Sequence, residues 1–315
     1  MLPSTGANHQ MPFNELLTTF TNNILPILLI GGAGFLIGKI LTVDARTLSR
    51  VVFYLFSPLL VFDLLVNIEL DFDQALITVG FAGTVVAALG ILAFLTGKLF
   101  KLERSLLLVV ILTTSFGNTG NYGLPLVKFA FGDNALAYAT LYFVTTALLN
   151  NTVGVIIASL GHMDLKSALL GMFKIPTVYA VLLAAIINTM GLELPLPLVK
   201  TIDLAASGSI PLMLVLLGLE LTRVQWANSL RAVGLSTFLK LIAGPLIGVL
   251  LAIPFGLEPA ARQANIIEAS MPAAVTNTML ASEYKLEPSL VTAIVFVSTI
   301  LSPLTLTPLL VYLGR

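Results

Sequence analysis

The sequence has no cysteine, only two histidines and few charged side chains for its length. Its 315 residues are 57% hydrophobic and 10% charged, with equal numbers of acidic and basic residues. The absence of cysteine excludes disulfides, thiolate nucleophiles and thiolate-bound metal sites. Because there is no basic excess, nucleic acid is not an expected partner. His9 and His162 lie in polar segments outside the apolar runs, so we predict neither a metal site nor another bound cofactor.

The sequence contains many long apolar runs and few charged residues. Soluble domains carry roughly a quarter charged residues, and a run of about 20 apolar residues can cross a bilayer as a helix. A transmembrane barrel would show short alternating segments instead. The sequence therefore predicts an all-α polytopic membrane protein whose partner is the lipid bilayer. We place ten transmembrane helices at residues 14–40, 47–67, 74–98, 104–131, 135–160, 167–190, 198–221, 229–254, 260–283 and 288–313.

The basic residues predict the orientation of these spans. Twelve of the sixteen lysines and arginines fall on the side opposite the N-terminus. Cytoplasmic loops carry such an excess. We therefore expect a multi-pass protein of the cell (inner) membrane with both termini extracellular or periplasmic.

The two halves of the chain resemble each other in the spacing of unusual residues. The stretch FKLE that ends at Glu103 reappears as FGLE, which ends at Glu258. Pro58 in span 2 has a counterpart at Pro211 in span 7. Five spans per half invert the second copy relative to the first, as in many secondary transporters. We predict a 5+5 inverted repeat, in which 1–13 is an extracellular segment, 14–160 the first repeat, 161–166 a short cytoplasmic linker and 167–315 the second repeat.

Spans 4 and 9 carry helix breakers near their centres. Span 4 contains SFGNTGNYGLP at 115–125, and span 9 contains EASMPAAVTNT at 268–278. Glycine and proline weaken or interrupt a helix. Unpaired backbone groups are tolerated at membrane depth only in protein or beside a wet cavity. Two breaks at related positions of a repeat predict a binding site near the midplane.

The breaks supply groups suited to an anion. The N-terminus of the second half-helix carries partial positive charge and free N–H groups. No lysine or arginine lies within either break, so we expect dipoles and amides to hold the ligand. Helix packing is the alternative role for these side chains, and for Asn150 and Asn151 in span 5 it remains equally open. The candidate substrate-binding residues are Asn118, Thr119, Asn121, Tyr122, Ser270, Thr276 and Asn277.

Three ionisable residues within the spans are candidates for coupling transport to sodium or a proton. Charges in a membrane span are costly and are therefore candidates for function. Glu268 precedes the break in span 9, Asp63 lies toward the end of span 2, and Lys240 lies in span 8. A structural carboxylate, a solvated helix end and a snorkelling lysine are the respective alternatives. Glu220 and Arg223 are predicted to be solvated loop charges.

The segments GNTGNYGLPL in span 4, MPAAVTNTMLASEYKLEPSLVTAIVFVSTILSPLTLTPLL through spans 9 and 10, and FLKLIAGPLIG in span 8 resemble the auxin efflux carrier family. This family includes PIN-like bacterial transporters and permeases for malate and malonate. The resemblance covers essentially the whole chain. It implies a scaffold and a transport domain, with helices 4 and 9 crossing at their breaks and an elevator-type motion. It also carries Asn118, Asn121, Pro125 and Pro272 over as site residues.

Together these observations predict a secondary transporter for small organic anions, such as dicarboxylates or auxin-like weak acids. A sodium- or proton-coupled cation antiporter of similar architecture is the alternative. We predict that the chain is not an enzyme, because the spans lack paired aspartates, a serine–histidine pair and a metal cluster. The glycine-rich stretch at 31–34 is expected at a helix contact, either in the scaffold or in a homodimer.

Overall fold

The structure, a computed structural model, describes residues 11–67, 71–159, 175–224 and 229–314. His9, His162 and the predicted linker 161–166 lie outside the described residues, as does the first part of span 6. The described residues form these α-helices: α1 Met11–Thr19, α2 Leu25–Ile40, α3 Ala45–Val51, α4 Ser57–Asn67, α5 Phe72–Leu99, α6 Arg104–Ser115, α7 Leu124–Leu149, α8 Val155–Ala158, α9 Pro176–Met190, α10 Leu196–Leu221, α11 Leu230–Phe238, α12 Gly244–Ala252, α13 Pro259–Ala269, α14 Thr276–Glu283 and α15 Pro288–Leu313.

Several consecutive helices form longer rods. Five π-helical turns occur in the described chain: Phe20–Ile24, Val52–Phe56, Thr119–Gly123, Asn150–Gly154 and Leu239–Ala243. Each leads directly into the helix that follows it. Gly132 has φ 77° and bends α7, within the polar link that the sequence places between spans 4 and 5. A positive φ of this kind suits glycine, which has no Cβ.

The all-helical, multi-pass membrane architecture is confirmed. Among the described residues, seven helical rods are long and apolar enough to cross a membrane, and α6 and α9 are shorter apolar helices. One of the seven rods, Thr119–Ala158, covers both the second half of predicted span 4 and span 5. The two halves of predicted span 9, α13 and α14, are separated by non-helical residues and are individually short.

The helices pack in two groups. Helix α2 packs along α10, α3 also contacts α10, and α4 packs against both α9 and α10; we call these five helices the flanking group. Helix α5 packs against α6 and α7, α13 packs against α7 and α12, and α11 joins α6 to α15. We call α5 to α7 and α11 to α15 the crossover group, because they contain both broken spans.

Glycines bring α2 and α10 into backbone contact. A Cβ at Gly218 would overlap the carbonyl of Gly31, and a Cβ at Gly34 would overlap the carbonyl of Val215. Small residues allow membrane helices to approach this closely. The glycine-rich stretch at 31–34 therefore forms a helix contact within the chain.

Candidate functional site

The two broken spans meet at their breaks and bond to each other. The backbone N–H of Asn118 donates to the carbonyl of Pro272 at 2.7 Å, and that of Ala274 donates to the carbonyl of Phe116 at 3.0 Å. Gly117 and Ala273 form the antiparallel bridge between them. Backbone groups that a helix would have satisfied are thus paired across the breaks, as burial at membrane depth requires.

The residue types at the breaks explain this local structure. Proline has no N–H to donate, and the carbonyl of Pro272 serves as an acceptor instead. Gly117 permits the close approach, because a Cβ there would lie 3.1 Å from the carbonyl oxygen of Met271 and 3.1 Å from Nζ of Lys240. On the other side of the bridge, the Nδ2 of Asn277 donates to the carbonyl of Phe116 at 3.1 Å.

A lysine does lie at the crossover, which corrects the sequence-based expectation that amides and dipoles act alone. Lys240 is 2% exposed and its ammonium group lies beside Gly117. It comes from the π-helical turn Leu239–Ala243, distant in sequence from both breaks. Of the two interpretations of Lys240 left open by the sequence, the one in which its side chain snorkels to the surface is wrong.

A cavity of about 110 Å³ borders the crossover. One wall belongs to the crossover group and consists of residues 116–121 and 274–276 together with side chains of the rod Thr119–Ala158. The opposite wall belongs to the flanking group and includes Ser49, Ser57, Leu216 and Glu220. About 10–15 Å³ holds one water in a comparable measure, so this volume accommodates a small solute.

Four of the predicted substrate-binding residues line this cavity: Asn118, Thr119, Asn121 and Thr276. Asn118 is 5% exposed, and its Nδ2 has no hydrogen-bond partner among the described residues. The hydroxyl of Thr119 pairs with that of Thr146 at 3.1 Å. The cavity wall therefore presents a buried amide donor that no described neighbouring group satisfies.

The other predicted substrate-binding residues support the crossover without lining the cavity. Tyr122 is fully buried, and its hydroxyl accepts a hydrogen bond from Ser302 of α15 at 3.2 Å. Ser270 donates to the carbonyl of Ile266 one turn earlier. Pro272 and Asn277 take part in the bonds between the breaks, and Pro125 lies in the first turn of α7.

The three ionisable candidates lie in two different places. Glu268 is 1% exposed, and neither of its carboxylate oxygens has a hydrogen-bond partner among the described residues. A Cβ at Gly123 would overlap this carboxylate. Lys240 interacts electrostatically with Glu268, although no ion pair within 4 Å joins these two described residues. Asp63 lies apart from the crossover and accepts a hydrogen bond from Asn67 at 2.8 Å.

The sequence interpretation missed one charged residue of the cavity. Glu220 lines the wall and its side chain is only 5% exposed, so the prediction of a solvated loop charge is wrong. The position of Glu220 one residue before the end of α10 suggested a solvated loop. The burial comes from neighbouring helices, which the local sequence does not reveal.

Asn150 and Asn151, for which packing and substrate contact were both open, also line the cavity. The Nδ2 of Asn150 donates to Oγ1 of Thr276 at 3.0 Å, which ties span 5 to the second break. The Oδ1 of Asn150 is buried without a partner among the described residues. The Nδ2 of Asn151 bonds within its own helix, to the carbonyl of Ala147.

The arrangement suits the binding of a small anion. The first N–H groups of a helix have no acceptor inside it, and the rod that begins at Thr119 starts at the cavity. Its partial positive charge, the free amide of Asn118 and the nearby ammonium group of Lys240 all favour negative charge. The described residues that line the cavity offer both hydrogen-bond donors and acceptors.

Comparison with known proteins supports the same class. A family model described as "Membrane transport protein" matches residues 19–166 and, a second time, residues 161–310. An uncharacterized transporter of Methanothermobacter thermautotrophicus is 28% identical over 292 residues, which cover 91% of this chain and 96% of the relative. The uncharacterized transporter MJ1031 of Methanocaldococcus jannaschii is 26% identical, over 90% of this chain and 94% of its own length.

A third relative extends over nearly the full length of both chains. The uncharacterized transporter YfdV of Escherichia coli K12 is 26% identical over 316 residues, which cover 95% of this chain and 99% of the relative. The two successive matches to the family model together span most of the sequence. The chain therefore belongs to the membrane transport protein family that includes the auxin efflux carriers.

Proposed function

We propose that the protein is a secondary transporter for small organic anions, whose carboxylate binds at the crossover of the two broken spans. The observation that carries this proposal is the Nδ2 of Asn118, a buried donor at the cavity wall without a partner among the described residues. An unsatisfied buried donor costs about 1–3 kcal/mol. A carboxylate oxygen in the cavity would remove that cost.

The class of substrate follows from the charges and dipoles of the wall. A carboxylate can accept hydrogen bonds from the side-chain amides of Asn118 and Asn121 and from the backbone N–H groups of Gly120 and Asn121. The N–H of Thr119 already donates to the carbonyl of Gly117. Lys240 lies behind Gly117 and adds positive charge without lining the cavity. The cavity is small, which favours monocarboxylates and short dicarboxylates.

The two helix groups suit an alternating-access mechanism. The cavity lies between them, so a displacement of the crossover group along the flanking group would take the bound anion with it. Two matches of one family model, one to each half of the chain, support a repeat of five plus five helices. An odd number of spans per repeat makes the copies inverted, and such repeats are common in transporters.

The orientation comes from the basic residues. Ser49 and Glu220 lie in the half of the membrane next to the loops that carry most lysines and arginines. We place the protein in the inner membrane with those loops in the cytoplasm. In this orientation the cavity faces the cytoplasm, and both termini lie on the opposite side of the membrane. Because the chain has no cysteine, single cysteines at Arg231 and Lys200 can be labelled from one side each. An impermeant maleimide added to whole cells should label only the Lys200→Cys variant.

Coupling to sodium or protons is assigned to Glu268 and Lys240 rather than to Asp63. The first two are buried beside the crossover, whereas Asp63 bonds to Asn67 at the end of α4. The unpartnered oxygens of Glu268 also favour the second candidate function, a cation antiporter that binds sodium or a proton there. Transport driven in turn by a sodium gradient, a proton gradient and neither gradient separates these possibilities.

The direct test is uptake by the purified protein in liposomes. Labelled malate, malonate or indole-3-acetate should enter down its gradient, and Asn118→Ala should reduce uptake about tenfold or more, the equivalent of one lost hydrogen bond of about 1.4 kcal/mol. Asn23→Ala is the matched control, because the Nδ2 of Asn23 bonds to Thr19 in its own helix. Normal uptake by Asn118→Ala would exclude the crossover as the anion site. Native mass spectrometry of the same sample would test the proposed homodimer.

A further inference from the structure

Glu220 is a charged residue in a cavity whose other described lining residues are uncharged. It projects from the last turn of α10, in the flanking group, and its side chain is 5% exposed. Its Oε1 is buried and has no hydrogen-bond partner among the described residues. A carboxylate in this position faces the same space as the amides of the crossover.

The positive charges near Glu220 balance its negative charge only in part. Nη1 of Arg223 lies 3.8 Å from Oε2 of Glu220, beyond hydrogen-bond distance. Nη2 of the same guanidinium lies 3.5 Å from Oδ1 of Asp44, so one cation is shared between two acids. Arg46, near the start of α3, also acts on Glu220 electrostatically. From the crossover group, uncharged side chains face the cavity, and Lys240 lies behind the wall at Gly117.

We propose that Glu220 is a proton site coupled to anion binding, so that the cavity binds a carboxylate when Glu220 is protonated and releases it when Glu220 ionises. This inference rests on the proposed function and adds a proton site in the flanking group to Glu268 and Lys240, the coupling residues of the crossover. Two negative charges within a partly enclosed cavity of about 110 Å³ repel each other, because they are screened less there than in bulk water. When two carboxylates share a site, one of them retains its proton.

The coupling acts in both directions. Binding of an anion draws one proton from the solution onto a carboxylate oxygen of Glu220, and loss of that proton weakens anion binding by the same factor. No covalent bond to the substrate forms or breaks. Because Glu220 belongs to the flanking group, it acts only while the cavity lies against α10, and it makes anion affinity in that position depend on pH.

The experiment measures anion binding by titration calorimetry on the full chain in detergent. Indole-3-acetate and malate serve as probes between about pH 6 and about pH 8.5, where free carboxylates of ordinary pKa stay ionised. Two buffers of different ionisation heat at each pH give the number of protons taken up. The wild type should take up close to one proton per anion, and its affinity should fall by up to about tenfold per pH unit.

Glu220→Gln should bind the probe without proton uptake and with nearly constant affinity across this range. Glu103→Gln is the control, because Glu103 is exposed at the start of α6 and its loss should leave the proton uptake unchanged. An unchanged pH dependence in Glu220→Gln overturns the inference but leaves the proposed function intact. If Glu220→Gln does not fold, the wild type alone decides, because binding without proton uptake overturns the inference. Failure of every probe to bind the wild type at any pH overturns the anion-binding function itself.

Discussion

The flanking group and the crossover group solve the same problem, packing helices in a membrane, in different ways. In the flanking group, α2 and α10 meet through glycines, and their backbones are in direct contact. In the crossover group, the helices are interrupted, and the freed backbone groups bond across the breaks at Phe116, Asn118, Pro272 and Ala274. Close packing leaves no space for a ligand, whereas paired breaks place unused donors beside a cavity.

Gly218→Ala is the change with the largest expected effect, because it tests the close packing directly. The new Cβ would overlap the carbonyl oxygen of Gly31 and approach the backbone N of Phe35, and backbone cannot rotate away as a side chain can. Overpacking costs about 1–3 kcal/mol and sometimes more. Thermal unfolding of the purified protein should show a marked loss of stability. Gly32→Ala is the control, since no neighbouring atom lies within 4 Å of its new Cβ; equal melting of the two variants would refute the close contact.

Gly123→Ala makes the corresponding test in the crossover group. Its Cβ would overlap the carboxylate of Glu268, so we expect a loss of about 1–3 kcal/mol. Glu268→Ala creates the missing space. The double variant should therefore lose less stability than the sum of the losses in the two single variants, by at least about 1 kcal/mol. Additive losses in thermal unfolding would mean that Gly123 and Glu268 do not contact each other.

Features set by local sequence are the ones that could be predicted. The interruptions near Gly117 and Pro272 follow from weak helix propensity, and the ends of α15 coincide with the predicted span 288–313. Glu220 was not predicted at the site, and Lys240 was predicted only as a coupling candidate with no position at the breaks, because the burial of a helical residue depends on which neighbours cover its face. When spans are predicted from hydropathy, a charged residue near the end of a span is assumed to be exposed to water. In the folded chain, Glu220 faces a cavity formed largely by spans 2, 4, 5 and 9.

Thr276→Val tests the polar support of the crossover with a smaller effect. The hydroxyl of Thr276 accepts a hydrogen bond from Nδ2 of Asn150 at 3.0 Å, and valine keeps the shape but leaves that donor without its partner. We expect a loss of about 1 kcal/mol in thermal unfolding together with weaker carboxylate binding. Thr305→Val is the matched control, because the hydroxyl of Thr305 donates to the carbonyl of Ser302 in its own helix. The support role is disproved if both variants bind carboxylate as well as the wild type.

Asp44→Asn has the smallest expected effect and concerns the exposed end of the flanking group. Asp44 caps α3: Oγ1 of Thr47 donates to it at 2.7 Å and the N–H of Arg46 at 3.1 Å. The bond from Thr47, the bond from Arg46 and the charge of Arg223 hold the pKa of Asp44 below its ordinary value of 3.8. A lowered pKa in the folded state contributes stability above the unfolded pKa and loses it as the pH falls through the folded value.

The melting temperature of Asp44→Asn should therefore be slightly below that of the wild type at neutral pH, and the difference should shrink as the pH falls below 3.8. Asp73→Asn removes one negative charge from the first turn of α5 without removing the cap of a helix, and it controls for net charge. A difference that persists at the lowest accessible pH would show that Asp44 stabilises α3 through its shape and not through its charge. Equal melting temperatures of Asp44→Asn and the wild type at every pH would show instead that this capping carboxylate contributes only what a neutral asparagine cap contributes.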